Sequence, residues 1–162
     1  MYSRKCQYAL RAVFELASRY DGPPVKASEI ARSQAVPLRF LEVILNRLKQ
    51  GKFVKSTRGR EGGYRLARSP GDLTVGEVIR HIEGQLAPVE CVLDTDESND
   101  CPFYGSCVFL PMWEEVDKAL ADVYDKTTFF DLLERRRKAV SEKAGSKGPR
   151  KKGATKNVRK RP

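Results

Sequence analysis

Three of the four cysteines in this 162-residue chain lie close together in one polar segment. Nine residues, four of them acidic, separate Cys91 from Cys101, and Cys107 follows after five more. Cysteines that only fill a core are usually scattered over apolar faces, so this crowding favours a shared metal site. Three thiolates suit zinc as well as an iron-sulfur cluster, and the CxxC pairs typical of zinc knuckles and ferredoxins are absent. The residues alone leave the identity of the metal open.

Charge is distributed unevenly along the chain, whose net charge is +10. Residues 1–68 contain 15 Lys and Arg against 5 Asp and Glu, residues 69–134 contain 3 against 15, and residues 135–162 contain 13 against 1. We therefore expect a basic domain, an acidic region and a basic tail. The surplus in the first domain favours an anionic partner, with nucleic acid first. The tail has almost no large apolar side chains, so we expect it to be disordered, serving solubility or non-specific phosphate contacts.

The composition also excludes several classes of protein. The apolar stretches are only a few residues long, so no membrane span is expected, and the N-terminus lacks the apolar core of a signal peptide. We expect a cytoplasmic protein, in which thiols stay reduced. A single His, no nucleophile–base pair at a recognisable spacing and no phosphate-binding glycine loop argue against an enzyme.

The basic domain is predicted to contain a helix-turn-helix. Apolar residues at helical spacing predict a first helix over residues 3–20. Ser28 is suited to cap a short second helix ending near Ser33, and Pro37 suits the first turn of a third helix that Gly51 ends. The third helix has an apolar stripe and an opposite polar face, as in a helix-turn-helix. From these two helices we expect DNA contacts by Ser28, Arg39, Glu42, Val43 and Asn46.

A β-hairpin is predicted directly after the third helix. Two strands, at 53–57 and 64–67, flank a glycine-rich turn, so Arg58, Gly59 and Arg60 would lie at the tip of a wing. Arginine suits the narrow, negative minor groove, although one arginine by itself would be an ordinary surface charge. Helix, helix and basic wing in this order predict a DNA-binding winged helix-turn-helix. The expected fold is mainly α with a small β-hairpin.

The acidic region is predicted to hold the cysteine segment between two helices. Thr74 and Glu77 form a capping box for a helix that ends near Gly84, and a sensor loop over residues 88–108 follows. After Pro111 an apolar stripe at spacings of three and four predicts a long C-terminal helix. One small domain does not need so long a stripe, so we expect a dimerisation helix, with packing inside the chain as the alternative for part of it.

Four runs of sequence resemble the Rrf2 family of bacterial winged-helix transcriptional regulators. They are residues 8–12, 36–42, 54–67 and 73–79, the last continuing to 83–84. The resemblance extends over residues 1–134. It implies a homodimer that binds a pseudo-palindromic operator in double-stranded DNA, with the third helices in successive major grooves and the wings in the flanking minor grooves.

The resemblance also implies roles for single residues. Glu42 matches a base-contacting Glu of the family, and Arg58 with Gly59 matches its wing Arg-Gly. Val43 stands where some relatives have Gln, and Arg60 with Glu61 replaces Pro-Gly, so the base preference of relatives does not transfer. By chemistry alone, Glu accepts a hydrogen bond from cytosine N4, whereas Val offers only apolar contact to a thymine methyl group.

Within this resemblance, the three crowded cysteines look like the cluster ligands of the family's iron-sulfur sensors. The resemblance implies a 2Fe-2S or 4Fe-4S cluster on Cys91, Cys101 and Cys107 that senses iron, redox state or nitric oxide. Its loss or alteration would change DNA binding. A thiol or disulfide switch, zinc, and purely structural cysteines stay open. The competing function is a cluster-free regulator of the same fold, controlled by thiol oxidation, a metabolite or a protein partner.

A cluster normally needs a fourth ligand, and the positions that relatives use do not supply one here. Those positions hold Leu110 and Gln7. Cys6 stands next to Gln7, so Cys6 of the partner subunit is our candidate, with simple packing in the first helix as an equally weighted alternative. His81 is the other candidate, and on a predicted helix we interpret it as an ordinary half-buried imidazole.

Overall fold

The computed structural model describes residues 2–84, 87–92, 101–103 and 106–145. In this part of the chain, six α-helices and a two-stranded antiparallel sheet form the fold, with short 3-10 turns at Pro70–Asp72 and Glu90–Val92. The predicted class, mainly α with a small β-hairpin, is confirmed. The elements in chain order are α1 Arg4–Ser18, α2 Ala27–Gln34, α3 Leu38–Gln50, β1 Val54–Thr57, β2 Gly63–Leu66, α4 Val75–Glu83, α5 Leu110–Lys126 and α6 Phe129–Gly145.

Helix α1 lies at the centre of the fold and contacts α2, α3, α4 and α6. One face of it carries small or branched apolar side chains that are fully buried, which lets the neighbouring helices approach closely. The facing stripe of α3 is also buried, and each fully buried leucine contributes about 2 kcal/mol through loss of water contact. The residues at this contact are Ala9, Ala12, Val13, Leu16, Leu41, Leu45 and Leu48.

The β-hairpin is fastened to the domain through its base and, on β2, through Tyr64. Val54 pairs with Leu66, and both side chains are buried, whereas Thr57 pairs with Gly63 at the outer end. Tyr64 adds two backbone hydrogen bonds to Val25, each 2.8 Å long. The outer end of the hairpin therefore projects from a rigid base into solvent.

Helix α4 begins as the sequence predicts, and α2 does not. The Thr74 hydroxyl accepts from the Glu77 amide, and the Glu77 carboxylate accepts from the Thr74 amide at 2.9 Å, which completes the capping box. The prediction that Ser28 caps α2 is wrong. The Lys26 carbonyl already accepts from the backbone amides of Glu29 and Ile30, so the helix begins at Ala27 and Ser28 is an exposed residue of its first turn.

The predicted long C-terminal helix is broken into α5 and α6 at Thr127 and Thr128. The Thr128 amide and hydroxyl both donate to the Asp131 carboxylate, and the Asp131 amide donates back to the Thr128 hydroxyl. These bonds start a new helix and lower the pKa of Asp131. Phe129, next to this cap, is fully buried in the chain's own core, as the packing alternative allowed.

The predicted disordered tail covers residues 135–162, but residues 135–145 are helical in the structure. Helix α6 continues to Gly145, because Arg, Lys, Ala and Glu are good helix formers even where large apolar residues are scarce. The guanidinium of Arg136 also lies 5.6 Å from the centre of the Phe14 ring, which attaches α6 to α1. Residues 146–162 lie outside the described part of the chain.

Candidate nucleic-acid interface and cysteine segment

Helix α3 presents four of the predicted DNA-contacting residues on one solvent-exposed side. Its other side is buried against α1 through residues spaced three and four apart, and this spacing turns the remaining positions outward. The outward side is a mixture of a cation, an anion, an amide and an apolar group, which together can match varied base edges. The four exposed residues are Arg39, Glu42, Val43 and Asn46.

A buried carboxylate fixes α2 against α1. The Glu15 side chain is 5% exposed, accepts from the Gln34 side-chain amide at 2.7 Å and pairs with Arg19 at 2.6 Å. Arg19 also reaches Glu29 of α2, so the two helices are joined at both ends of α2. These contacts fix the position of α2 and therefore of Ser28, which lies exposed in the first turn of that helix.

The wing presents its arginines at an exposed turn. Arg58, Gly59 and Arg60 are all exposed between β1 and β2. The backbone of Gly59 has φ of 106°, a conformation that residues with a side chain rarely adopt, so glycine is needed for this turn. The sequence thus places two exposed cations on a tight turn, and arginines presented in this way suit a narrow, negative groove of DNA.

A cationic groove of about 490 Å³ connects α3 with the wing. Within the described residues, none of its four cations is paired with a carboxylate, so all four are available to phosphate oxygens. Lys52 and Lys55 were absent from the predicted site. Their signal was a lysine at every third position across the end of α3 and the start of β1. The cations lining the groove are Lys49, Lys52, Lys55 and Arg58.

Helix α4 is bonded to the end of α3 by a reciprocal pair. The His81 ring N–H donates to the Arg47 carbonyl at 2.8 Å, and the Arg47 guanidinium donates to the His81 carbonyl at 3.2 Å. The imidazole also lies 5.0 Å from the Phe53 ring centre. A Cβ on Gly51 would come within 2.6 Å of the imidazole, so the glycine permits this contact. The half-buried His81 therefore positions α3 relative to α4.

A second contact between the hairpin region and α4 involves the cap of that helix. Arg68 lies over the Phe53 ring and pairs with Glu77 at 2.7 Å. Burial by itself would raise the pKa of Glu77, but hydrogen bonds from Thr74 and Arg68 outweigh it, so the pKa is lowered. Glu77 thus serves as a capping residue and as an anchor for the strand-to-helix connection.

Two of the three crowded cysteines lie in or next to helical structure. Cys91 is in the 3-10 turn Glu90–Val92, and the Cys107 carbonyl accepts from the Leu110 amide at the start of α5. Cys91, Cys101 and Cys107 are free and half-buried, so their sulfur atoms remain accessible to a metal. Across 2–84, 87–92, 101–103 and 106–145, no three His, Cys, Asp or Glu residues form a ready metal-binding group. Residues 93–100 and 104–105 of the predicted sensor loop lie outside those ranges.

Cys6 differs from the other three cysteines, and the structure argues against it as a ligand from the partner subunit. Its side chain is fully buried within α1 and belongs to the chain's own core. Burial, with the nearby Glu83 carboxylate, raises the pKa of the Cys6 thiol to about 11, which disfavours the thiolate that a metal needs. The packing alternative is therefore the one the structure favours.

Polar contacts join α4 and α5, the helices on either side of the cysteine segment, to the N-terminal domain of residues 1–68. The Tyr2 hydroxyl donates to the Tyr124 hydroxyl at 2.6 Å, which ties the start of α1 to α5. Arg80 of α4 pairs with Asp125 of α5 through two hydrogen bonds. Glu83, at the end of α4, accepts from the amide and hydroxyl of the Ser3 cap. Helix α4 is thus bonded both to α5 and to α3.

Helix α5 has no buried residue in the described chain. Its apolar stripe is nevertheless pronounced, and Met112, Val116 and Val123 are all exposed, Val123 by 60%. Exposed apolar patches of this kind mark surfaces that another molecule covers. No helix of the described ranges is long and apolar enough to cross a membrane.

Comparison with known proteins agrees with the geometry. A family model described as Rrf2, iron-dependent transcriptional regulator, matches residues 2–135. A Mycobacterium tuberculosis protein named as an HTH-type transcriptional regulator is 36% identical over 131 residues, covering 80% of this chain and 79% of that protein. The structure of CymR, described as the global cysteine regulator of B. subtilis, matches with a TM-score of 0.69 and 30% identity, covering 83% of this chain and 97% of CymR. That of T. potens IscR matches with a TM-score of 0.67 and 33% identity, covering 86% and 90%.

Proposed function

The chain belongs to the Rrf2 family of transcriptional regulators, which are not enzymes, and on that premise we propose that it binds a pseudo-palindromic DNA operator as a homodimer. The observation that carries the proposal is the exposed face of α3 beside an unpaired cationic groove and a basic wing tip. The two proposed DNA-reading elements are held rigidly together, because the base of the hairpin and α3 share the same core.

Base and phosphate contacts divide between the parts of this surface. In the major groove, Glu42 would accept a hydrogen bond from cytosine N4, and Asn46 would pair with adenine. The cations of the groove and Arg39 would bind phosphates and set the register, which adds affinity without sequence preference. The wing arginines Arg58 and Arg60 would reach the backbone phosphates and the flanking minor groove together, since the potential there is most negative.

The exposed stripe of α5 supports the dimer. A helix with large apolar side chains and no buried residue needs a second surface, and a second copy of α5 offers a matching one. A two-fold dimer would place the two copies of α3, its recognition helices, one helical turn of DNA apart, about 34 Å. A pseudo-palindromic operator has two half-sites with the same symmetry and would fit this arrangement.

We further propose that an iron-sulfur cluster on Cys91, Cys101 and Cys107 controls DNA binding. Support comes from three free, half-buried thiols in one segment and from the iron-dependent description of the matching family model. When bound, a cluster would supply iron–sulfur bonds that restrain the segment between α4 and α5. The chain's own residues would transmit that restraint, through Arg80 with Asp125 and then His81 with Arg47 to the recognition helix. DNA affinity would change by a shift between two dimer arrangements.

The second candidate is control without a cluster. The similarity to a structure described as a global cysteine regulator favours it, because three accessible thiols also suit oxidation or sensing of a sulfur compound. Anaerobic purification followed by iron and sulfide assay separates the two, since only the cluster requires both elements in proportion to protein.

Two variants test the DNA-binding proposal on a duplex selected by this protein from a random pool. We expect Glu42→Ala to reduce discrimination among operator variants, because it removes a base contact. We expect Arg58→Ala to weaken binding to all sequences and to lower the salt slope by about 1, because it removes a phosphate contact. Lys118→Ala, an exposed cation of α5, is the matched control. Unchanged discrimination by Glu42→Ala and an unchanged slope for Arg58→Ala would contradict the proposed interface.

A pair of cysteine variants tests the cluster proposal. Cys101→Ala should lose iron, sulfide and the visible absorption of the anaerobic protein. Cys6→Ala should keep all three, because its sulfur is buried in the core, and should lower only the thermal stability. Iron and sulfide that persist in Cys101→Ala would exclude that residue as a ligand.

A further inference from the structure

Helix α3 exposes large apolar side chains on the side that faces away from the core. Phe40 and Val43 are each 65% exposed, and Leu38 is 40% exposed. Phe40 and Val43 are three residues apart, so their side chains are neighbours on the helix surface. Exposing a phenylalanine to this degree is unfavourable unless another molecule covers it.

The surroundings of this apolar pair indicate what covers it. Arg39 and Asn46 lie on the same exposed side of α3, and the cationic groove opens beside the end of the helix. The charge surplus of residues 1–68 disfavours docking of a second copy of this basic domain and favours a polyanion. The apolar pair is therefore continuous with the proposed DNA surface, and its occupant is double-stranded DNA.

Only one feature of the major groove is apolar. Each base pair presents donors and acceptors there, and thymine adds the methyl group on C5. 5-Methylcytosine carries the same methyl group beside an N4 donor. Glu42, the chain neighbour of Val43, is the side chain suited to accept from that donor. A methyl-bearing pyrimidine thus offers a partner for the apolar pair, and 5-methylcytosine offers one for Glu42 as well.

We propose that Phe40 and Val43 form a contact surface for the 5-methyl group of pyrimidines, which makes operator choice depend on thymine methyls and sensitive to cytosine methylation. This inference rests on the proposed function, because it assigns a ligand chemistry to the same recognition helix. It adds Phe40 to the specificity-determining residues. Polar contacts by Arg39 and Asn46 would be indifferent to the methyl group.

The test uses a duplex that this protein selects from a random pool. Each thymine is replaced in turn by deoxyuracil, which removes only the methyl group, and binding is measured by fluorescence anisotropy. Burial of one methyl group corresponds to about a fourfold change in affinity per half-site. We expect this loss at one or two thymines of each half-site for the wild type. Phe40→Ala and Val43→Ala should bind the thymine and deoxyuracil duplexes alike, whereas Asn46→Ala should keep the difference.

A second set of duplexes distinguishes thymine from 5-methylcytosine as the base that carries the methyl group. At the positions sensitive to deoxyuracil, thymine is replaced by cytosine or by 5-methylcytosine opposite guanine. The wild type should prefer 5-methylcytosine by about the same fourfold factor, and the preference should disappear in Val43→Ala. Indifference of the wild type at every thymine, or equal binding of cytosine and 5-methylcytosine, would overturn the inference while DNA binding stands. Failure to select any duplex would instead refute the proposed function.

The variants are informative because they leave the fold intact. Phe40 and Val43 lie outside the buried stripe of α3, so their truncation removes little packing. Thermal unfolding of both variants should match the wild type. A drop in stability like that of a core variant would place these side chains in the packing of the domain and contradict their role at the DNA.

Discussion

Helices α3 and α5 have the same kind of sequence and opposite surroundings. Each carries an apolar stripe at spacings of three and four, and each has polar residues opposite it. Helix α3 buries four side chains of its stripe against α1, whereas α5 buries none in the described chain. An apolar stripe therefore shows that a helix has a contact face, and the surrounding structure decides whether the partner lies in the same chain.

The exposed valines of the two helices sharpen this difference. Val43 of α3 is 65% exposed and Val123 of α5 is 60% exposed, so exposure alone does not tell them apart. Val43 lies in the basic domain, and Val123 lies in the region with 15 acidic residues against 3 basic ones. Charge around an exposed apolar residue thus distinguishes a surface suited to DNA from one that would repel a polyanion and needs a different partner.

The largest expected effect is the loss of stability when a buried leucine of the α3 stripe is truncated, compared with truncation of a half-buried leucine of the α5 stripe. Leu45→Ala in α3 should lower the free energy of unfolding by about 3 kcal/mol, because it leaves a cavity in the core. Leu120→Ala in α5 should cost less, and its cost should depend on protein concentration, because we propose that its partner is another chain. Denaturant unfolding at two concentrations measures both. Equal, concentration-independent losses would show that α5 packs inside its own chain.

The next prediction tests the proposed dimer by placing charges on the exposed stripe of α5. Replacing Val116 and Val123 by Asp should yield monomers in analytical ultracentrifugation, because it places charges in an apolar interface. Operator affinity should fall by at least about 100-fold, or about 2.7 kcal/mol, since one half-site is lost. Val140→Asp, at a 61% exposed position of α6, is the matched control. A double variant that stays dimeric would remove α5 from the interface.

A smaller effect concerns the capping box of α4, the helix that contacts both α3 and α5. Thr74→Ala should cost about 1 kcal/mol of stability. The pKa of Glu77 is lowered in the folded state, so its carboxylate stabilises the fold at neutral pH, and this stabilisation is lost as the pH falls through that lowered pKa. The stability difference between wild type and Glu77→Gln should therefore be largest near pH 7, shrink as the pH falls below the ordinary pKa of glutamate, about 4.3, and disappear only once the lowered pKa has been passed. Glu114→Gln, at an exposed position of α5, is the matched control variant.

The sequence predicted the elements whose signals are local. The apolar spacing of α3, the glycine-rich wing turn and the capping box at Thr74 each depend on residues within a few positions, and all three are present in the structure. The break between α5 and α6 had a local signal too. Thr128 and Asp131 form a cap of the same spacing, but the apolar run across them suggested one continuous helix.

Other features depended on packing that spacing does not reveal. Cys6 and Gln7 are neighbours in sequence, yet Cys6 is fully buried and Gln7 is exposed. Only Cys6 lies on the side of α1 that faces the hydrophobic core. The contact of His81 with Arg47 joins positions 34 residues apart. The cationic groove needed the hairpin folded against the end of α3 before its lysines could be grouped.

One measurement tests the proposed control of DNA binding most directly. The protein is purified without oxygen, and its affinity for the selected duplex is measured before and after the iron is removed by a chelator, with Cys101→Ala treated in parallel. We expect the wild-type affinity to change by at least about tenfold, a coupling of about 1.4 kcal/mol, and the affinity of Cys101→Ala to stay constant. Equal affinity of the wild type before and after iron removal would contradict control by a cluster on Cys91, Cys101 and Cys107.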